Sequence, residues 1–340
     1  MSERAGVIDD FLARAGWDGA ERQLLAADAS FRRYERLRRD KATAVLMDAP
    51  PPQENVHAFL RVAQELIELD LSAPRPIEVE EAAGLMLLED FGDRTFTRAL
   101  AGGVEEAALY RLATDLLIAL HKRWSPGRGA GHDDPLPPYD DARLLDEALL
   151  LPEWTLPALR GAPVPAERPQ DYIDAWRAVF PRARNVPECL VLRDYHVDNL
   201  VLLDGREGVA ACGLLDFQDA VIGPMSYDVV SLLEDARRDI EPALVEEMLG
   251  RYFAAFPELD QEAFRDSYAI LGAQRAAKII GIFTRLSWRD GKQQYLRHIP
   301  RVWRLLEAGL EQPVLAPVKE WFDAEVPAAE RVTPPKGDKA

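Results

Sequence analysis

Residues Cys189 to Asp219 read CLVLRDYHVDNLVLLDGREGVAACGLLDFQD, and this run decides the fold. Two apolar segments, Asn199–Leu203 and Val209–Leu215, flank Asp204-Gly205-Arg206-Glu207-Gly208. An apolar run, a Gly-bearing turn and a second apolar run predict a β-hairpin. A hairpin brings its two outer ends together. Asn199 stands at the entry, Asp216 just past the exit, and Asp194 in the loop that feeds the first strand. Three oxygen-bearing side chains are therefore expected to converge at one end of a two-stranded ribbon. Asn199 and Asp216 offer hard oxygen ligands of the kind Mg²⁺ takes together with substrate phosphates. Asp194, a third carboxylate beside them, can accept a proton. Any one of these residues would also serve as a turn former or N-cap; the set of three at this spacing points to chemistry.

The order is that of phosphoryl transfer: a base Asp, an Asn five residues on, and a metal-binding Asp after a hairpin. Here it is Asp194-x-x-x-x-Asn199, then Asp216-Phe217-Gln218, where protein kinases have a final Gly. The stretch LRDYHVDN resembles the His-Gly-Asp-Leu-His-Pro-x-Asn loop of the aminoglycoside phosphotransferase family, the small-molecule branch of the protein-kinase-like superfamily. Arg193 replaces that family's usual Gly, and Val197 its Pro. The longer string LRDYHVDNL…GLLDFQDAVIGPMSYDVVSLLEDAR is most similar to the bacterial anomeric kinases for N-acetylmuramate and N-acetylglucosamine used in cell-wall recycling. The resemblance implies an α+β, bilobal protein-kinase-like fold, with a small β-rich N-lobe and a larger, mostly helical C-lobe. It places the N-lobe at 1–90, the C-lobe at 91–326 and a flexible tail at 327–340.

At 340 residues the chain is long enough for two lobes, each with its own core. With 58 acidic against 41 basic residues and a net charge of −17, it is not built to bind a phosphate backbone. No nucleic-acid, membrane or obligate protein partner is evident; the expected partners are ATP and a small sugar. Cys189 and Cys212 lie in or beside the hairpin without metal-ligand spacing and read as buried, inert thiols. The start MSERAGVIDDFLARAG has no basic stretch followed by a long apolar core. No apolar run approaches the roughly 20 residues needed to cross a bilayer, and a cytoplasmic location is expected.

After a short helix at Ile8–Ala15, two extended segments, Phe31–Leu37 and Ala42–Met47, are joined by a charged turn and closed by Pro50, Pro51 and Pro52. A kinase-like N-lobe would cover the nucleotide phosphates with the first turn and carry a Lys on the second strand. Both features are altered: Asp28-Ala29-Ser30-Phe31 replaces a Gly-rich loop, and the second strand holds no Lys. Ser30, Arg32 and Arg33 are the candidates to hold phosphate instead, because an Arg fork binds phosphate oxygens bidentately. A solvated hairpin face is the plain alternative. A helix over Asn55–Leu69 follows, with Glu65 and Glu68 expected to face solvent for want of a Lys partner. Strands at Ile77–Val79 and Leu85–Leu88 lead into Glu89-Asp90-Phe91-Gly92, so Glu89 to Phe91 is the expected adenine-binding hinge.

A long helix spans about Val104–Trp124; its ending LLIALHKRW resembles the Leu-x-x-Leu-His helix of the same family, with His121 at a helix-end dipole site. Residues 125–140 read as a loop, Asp141–Leu150 as a helix, and Trp154, Tyr172 and Trp176 as core or as sugar-stacking aromatics. Asp228 reads as an N-cap or loop anchor. The helix at Tyr268–Arg289 carries Arg275, Lys278, Arg285 and Arg289 as a stripe, either a solvated face or a cationic wall. In the mechanism so implied, Mg²⁺ held by Asn199 and Asp216 bridges the ATP phosphates, and Asp194 takes the acceptor's hydroxyl proton. His196, Asp198, Asp219 and Arg275 are the candidate sugar contacts. An aminoglycoside or choline-like acceptor, a nucleotide-sensing pseudokinase and a metal-dependent phosphohydrolase remain as rivals.

Overall fold

The computed structural model describes residues 3–27, 32–52, 54, 56–128, 135–163 and 167–337. The chain forms two compact units: Met1–Arg123 with Val197–Ala220, and Trp124–His196 with Val221–Ala340.

The first unit opens with α1 (Glu3–Arg14), then β1 (Glu21–Ala27), β2 (Arg33–Arg39) and β3 (Ala42–Asp48). The β2–β3 turn places Asp40 at φ 54°, a left-handed conformation that Asp tolerates. After α2 (Val56–Glu68) come β4 (Pro76–Glu80) and β5 (Leu85–Leu88), completing an antiparallel sheet of order β1-β2-β3-β5-β4. Strand alternation divides its side chains between two faces. Leu37, Ala44, Leu46, Leu85 and Leu87 meet Ile8, Phe11 and Leu12 of α1 in one buried cluster. Met47, Met86 and Leu88, one register position away, are buried on the other face. Helices α3 (Phe96–Ala101) and α4 (Glu106–Arg123) follow.

One strand escapes the sequence reading here and one expectation fails. β1 was not visible in the sequence because it has no apolar face: Leu24 is 54% exposed and Leu25 37%. An edge strand without hydrophobic alternation gives no period to read. Glu65 does not face solvent; it is buried on α2, while Glu68 is exposed and accepts from Gln64 Nε2 at 2.8 Å.

In the second unit, α5 (Asp141–Ala148), α6 (Leu156–Arg160), α7 (Gln170–Ala183) and β6 (Glu188–Val191) come first. The chain then returns to the first unit for the hairpin β7 (Leu200–Leu202) and β8 (Cys212–Leu214). Val209, Ala210 and Ala211, expected within the second hairpin strand, belong instead to a 3₁₀ turn at Gly208–Ala211. Back in the second unit, β9 (Val221–Pro224) pairs antiparallel with β6. It is followed by α8 (Tyr227–Leu233), α9 (Pro242–Ala255), α10 (Gln261–Trp288), α11 (Ile299–Leu310) and α12 (Ala316–Glu325). The 28-residue α10 is the axis of this unit, with α5, α7, α8 and α11 packed on it. Gly281 on α10 passes the Leu150 backbone so closely that a Cβ would lie 2.3 Å from its carbonyl carbon.

The basic stripe is solvated only towards its end, where Arg289, just past α10, is exposed. Arg275 and Lys278 are buried, Arg275 donating to the Glu234 carbonyl at 3.2 Å and Lys278 paired with Glu147 at 3.1 Å; Arg289 pairs with its neighbour Asp290 at 2.7 Å. The tail is also tied down as far as it is described. Trp288 Nε1 donates to the Pro335 carbonyl at 2.9 Å, Trp303 Nε1 to that of Val332 at 3.2 Å, and Arg331 pairs with Asp323 at 2.8 Å. A buried indole N–H needs an acceptor, and for Trp303 the tail's backbone supplies it.

Candidate active site

The hairpin end in the first unit carries two of the three predicted groups. The β7–β8 ladder runs Leu200–Leu214 to Leu202–Cys212, and Leu215 N–H donates to the Asn199 carbonyl at 2.9 Å. That pairing sets Asn199 and Asp216 side by side, Asn199 Nδ2 lying 3.4 Å from Asp216 Oδ2. Asp216 takes a left-handed φ of 59°, a conformation that Asp tolerates. Gln218 Nε2 bridges Asp216 Oδ1 at 2.9 Å and Asp219 Oδ2 at 3.2 Å. Phe217 packs on Phe59 of α2 with ring centroids 4.9 Å apart. Among the described residues no group of three His, Cys, Asp or Glu is arranged to hold a metal alone. One carboxylate plus one amide oxygen is what a cation needs when phosphates and water complete its shell, so this donor set fits a divalent ion carried with a nucleotide.

Arg32, at the head of β2, is buried, pairs with Glu54 at 3.7 Å, and feels the charges of Asp216 and Asp219; these anions hold its pKa above the ordinary value against burial, the largest influence on it. Arg33, the next residue in the strand, is exposed. Ser30 lies outside the described residues.

The predicted hinge is braced by two arginines that the sequence reading missed. Arg36 of β2, only 5% exposed at its side chain, forks onto Asp90 at 2.8 and 3.0 Å and reaches Asp93 at 2.7 Å. Its hydrogen bond is the main reason the Asp93 carboxyl sits below its usual range. Arg206, from the hairpin turn, pairs with Glu89, donates to Ser72 Oγ at 2.8 Å, and stacks its guanidinium over Phe91 at 5.2 Å. Glu89's own N–H is engaged by the Arg75 carbonyl at 2.9 Å. Gly213 in β8 passes the Phe91 ring so closely that a Cβ would sit 2.7 Å from it. The cluster of Asp90 and Asp93 after a strand was the available signal for a cationic brace. Asp198 accepts from the Thr97 hydroxyl, and Thr97 N–H donates to the Val197 carbonyl at 3.3 Å, which fastens this turn to α3.

Asp194 belongs to the second unit, where β6 ends and the chain bends. Its N–H donates to the Leu192 carbonyl at 2.9 Å. The bend is held by Asp228, whose Oδ2 accepts from Leu192 N–H at 2.6 Å and Oδ1 from Arg193 N–H at 2.9 Å. Asp228 therefore does not cap α8; it lies in the helix's first turn and reaches back to the loop. Burial pushes its carboxyl up to about 7, opposed by those two backbone bonds. Arg193 has φ 70°, and a left-handed conformation costs a residue other than Gly roughly 1–2 kcal/mol. Its carbonyl accepts from Ser231 Oγ at 3.1 Å and its guanidinium pairs with Glu147. His196 is buried, with Nε2 3.2 Å from Arg237 Nη1.

Of the other predicted residues, Asp219 is exposed beside Asp216, and Arg275 holds the end of α8 rather than a solvent-facing surface. His121, expected as a helix-end structural residue at a dipole site, lies in the last turn of α4, and burial pulls its pKa down to about 3. Cys189 and Cys212 are free and buried, and burial raises both thiols. No helix among the described residues is long and apolar enough to cross a membrane.

The model of the phosphotransferase enzyme family matches residues 21–265. The N-acetylmuramate/N-acetylglucosamine kinase of Caulobacter vibrioides is 38% identical, over 97% of this chain and 99% of that protein. The protein of the same name from Pseudomonas aeruginosa is 35% identical over 92% of each. Among solved structures, choline kinase LicA from Streptococcus pneumoniae aligns over 92% of this chain and all of its own, with a TM-score of 0.60 at 11% identity. The ADP-bound aminoglycoside phosphotransferase APH(2'')-Ib aligns over 89% of this chain and 96% of its own, with a TM-score of 0.57 at 15% identity. The fold is thus protein-kinase-like, with a small antiparallel sheet and a helical remainder, and the chain is a small-molecule phosphotransferase.

Proposed function

Because the chain belongs to the phosphotransferase enzyme family, we propose that it is an ATP-dependent kinase that phosphorylates the anomeric hydroxyl of N-acetylmuramate and N-acetylglucosamine in the cytoplasm. The observation that carries the reaction is the hairpin end, where Asn199 and Asp216 stand side by side with Arg32 within electrostatic reach. The acceptor rests on relatives bearing that activity in their names, which match nearly the whole chain.

In this reading the N-lobe, residues 1–90, covers the nucleotide. The adenine edge meets the hinge backbone, where a donor group on the ring would use the Glu89 carbonyl and a ring nitrogen the Phe91 N–H. Arg32 takes over the work of the absent strand Lys, because a buried guanidinium near the metal carboxylate is placed to balance phosphate charge. Ser30 and Arg33 are secondary contacts on the same face of ATP. Asn199 and Asp216 would hold Mg²⁺, which, when bound, neutralises charge on the transferred phosphoryl group. Asp194 accepts the proton from the sugar hydroxyl and aims its oxygen; a positioned base of this kind contributes about 10²–10⁴ in rate. His196, Asp198 and Asp219 orient the sugar, while Arg275, buried against α8, supports the helix that grips the catalytic loop.

The test is a panel following ATP consumption with N-acetylmuramate, N-acetylglucosamine, choline, an aminoglycoside, and no acceptor. Consumption driven by the amino sugars, with loss of their reducing end, supports the proposal. Turnover with choline or an aminoglycoside alone redirects the acceptor. Phosphate release without any acceptor, or binding without turnover, would replace the kinase with a hydrolase or a pseudokinase.

A further inference from the structure

Arg193 occupies a left-handed backbone position, φ 70°, immediately before Asp194. Glycine would adopt that conformation without strain. A long cationic side chain at such a position calls for a reason, and its surroundings supply one. Its main chain is held on both sides by α8, through Asp228 to the N–H at 2.9 Å and Ser231 to the carbonyl at 3.1 Å. The guanidinium runs the other way, over the Tyr139 ring at 5.7 Å, and pairs with Glu147 of α5.

Glu147 is the hub. It is 11% exposed at the side chain and is also met by Lys278 Nζ of α10 at 3.1 Å, Gln274 Nε2 at 3.3 Å, and the Tyr139 hydroxyl. Burial alone would raise its pKa, but Lys278, Arg193 and Tyr139 together hold it below the usual carboxylate range. It is therefore an anion locked between two cations, on elements brought together from distant parts of the sequence. A half-satisfied buried network is costly, whereas a satisfied one fixes a single geometry.

We propose that Glu147 and Lys278 are positioning residues for the reaction: through Arg193 they set the direction of the Asp194 carboxylate. The inference rests on the reading of Asp194 as the base. The clamp acts on Arg193, the residue before Asp194, rather than on the nucleotide, so its loss lowers kcat and leaves KM for ATP in place. Misplacing a catalytic group by about 1 Å can cost on the order of 100-fold in rate. Lys at 193 cannot substitute, because it lacks the planar fork and the stacking face of Arg.

Steady-state kinetics with N-acetylglucosamine and ATP test this on four variants: D194N, E147Q/K278M, D194N/E147Q/K278M and R193K. The paired change removes one charge of each sign, so that two buried cations are not left facing each other as they are in E147Q alone. The expected result is a kcat about 10–100-fold lower for E147Q/K278M and for R193K. KM for ATP should stay within about two-fold and the melting temperature within a few degrees of wild type. In the D194N background the same pair should lower the residual rate by less than about two-fold, since its effect runs through the missing carboxylate. A full, multiplicative loss in that background overturns the positioning role, as does a paired variant with wild-type kcat while D194N is dead. A D194N enzyme that keeps its activity removes the base itself, a separate failure visible in that variant alone.

Discussion

Replacing Asp228 with Asn tests how the catalytic loop is held. Asp228 is 1% exposed and accepts two backbone N–H groups, at 2.6 and 2.9 Å. Burial pushes its carboxyl from 3.8 up to about 7; the Leu192 and Arg193 bonds and Arg275 oppose the rise, and Asp194 adds to it. The folded pKa lies above the unfolded one, so the folded state holds its proton more tightly. The resulting stabilisation is complete below about pH 4 and is lost as pH rises through about 7. Between pH 5 and pH 8 the loss from this single group is about 2–3 kcal/mol. Asn has no proton to lose, and it can accept only one of the two N–H groups with its carbonyl oxygen. Its amide faces the other, and an unmet buried donor costs about 1–3 kcal/mol. Asp228→Asn should therefore be less stable than wild type by about 1–3 kcal/mol at pH 5, with the gap closing or reversing by pH 8. Glu234, also raised by burial to about 7, titrates in both proteins and cancels in the difference. Urea unfolding followed by tryptophan fluorescence at four pH values measures the gap. A gap constant from pH 5 to 8 would refute the assignment of a buried, titrating carboxyl at this position.

Three further predictions address the first unit. Arg32→Met should raise KM for ATP by about ten-fold or more, the equivalent of about 1.4 kcal/mol of binding, while exposed Arg33→Met changes it little; equal effects would deny Arg32 its distinct place. Gly213→Ala pushes a methyl group into the Phe91 ring, already 2.7 Å from the ideal Cβ position. It should cost about 1–3 kcal/mol in stability and weaken ATP binding, read by thermal melting with and without nucleotide. Chelation should abolish turnover and added Mg²⁺ restore it in the wild type, whereas Asp216→Ala should require far higher metal or fail to recover; full recovery at ordinary Mg²⁺ would place the ion elsewhere.

The hairpin was legible because its chemistry is local. Two apolar runs and a Gly-bearing turn fix where Asn199 and Asp216 must meet, whatever surrounds them. Strand β5 was legible for a similar reason, since it is a continuous apolar run ending in acids and Gly. What the sequence hid were charges that fold inward. Glu65, Glu147, Arg36, Arg275 and Lys278 look like solvated residues in a linear reading, yet each is buried. Charged residues are seldom fully buried unless paired, and Arg36, Arg275 and Lys278 find Asp90, Glu234 and Glu147 far away along the chain. The tail is polar and Pro-bearing, and nothing in that composition announces that its Pro335 and Val332 carbonyls accept from Trp288 and Trp303. Edge strand β1 carries exposed leucines and no alternation, so no periodic signal existed to find.

The most direct measurement is the rate at which Asp194→Asn transfers phosphate from ATP to N-acetylmuramate or N-acetylglucosamine, with nucleotide affinity measured alongside. If Asp194 takes the hydroxyl proton, kcat falls by about 10²–10⁴ while ATP still binds as it does to the wild type. A variant that phosphorylates the sugar within a few-fold of the wild-type rate contradicts the account.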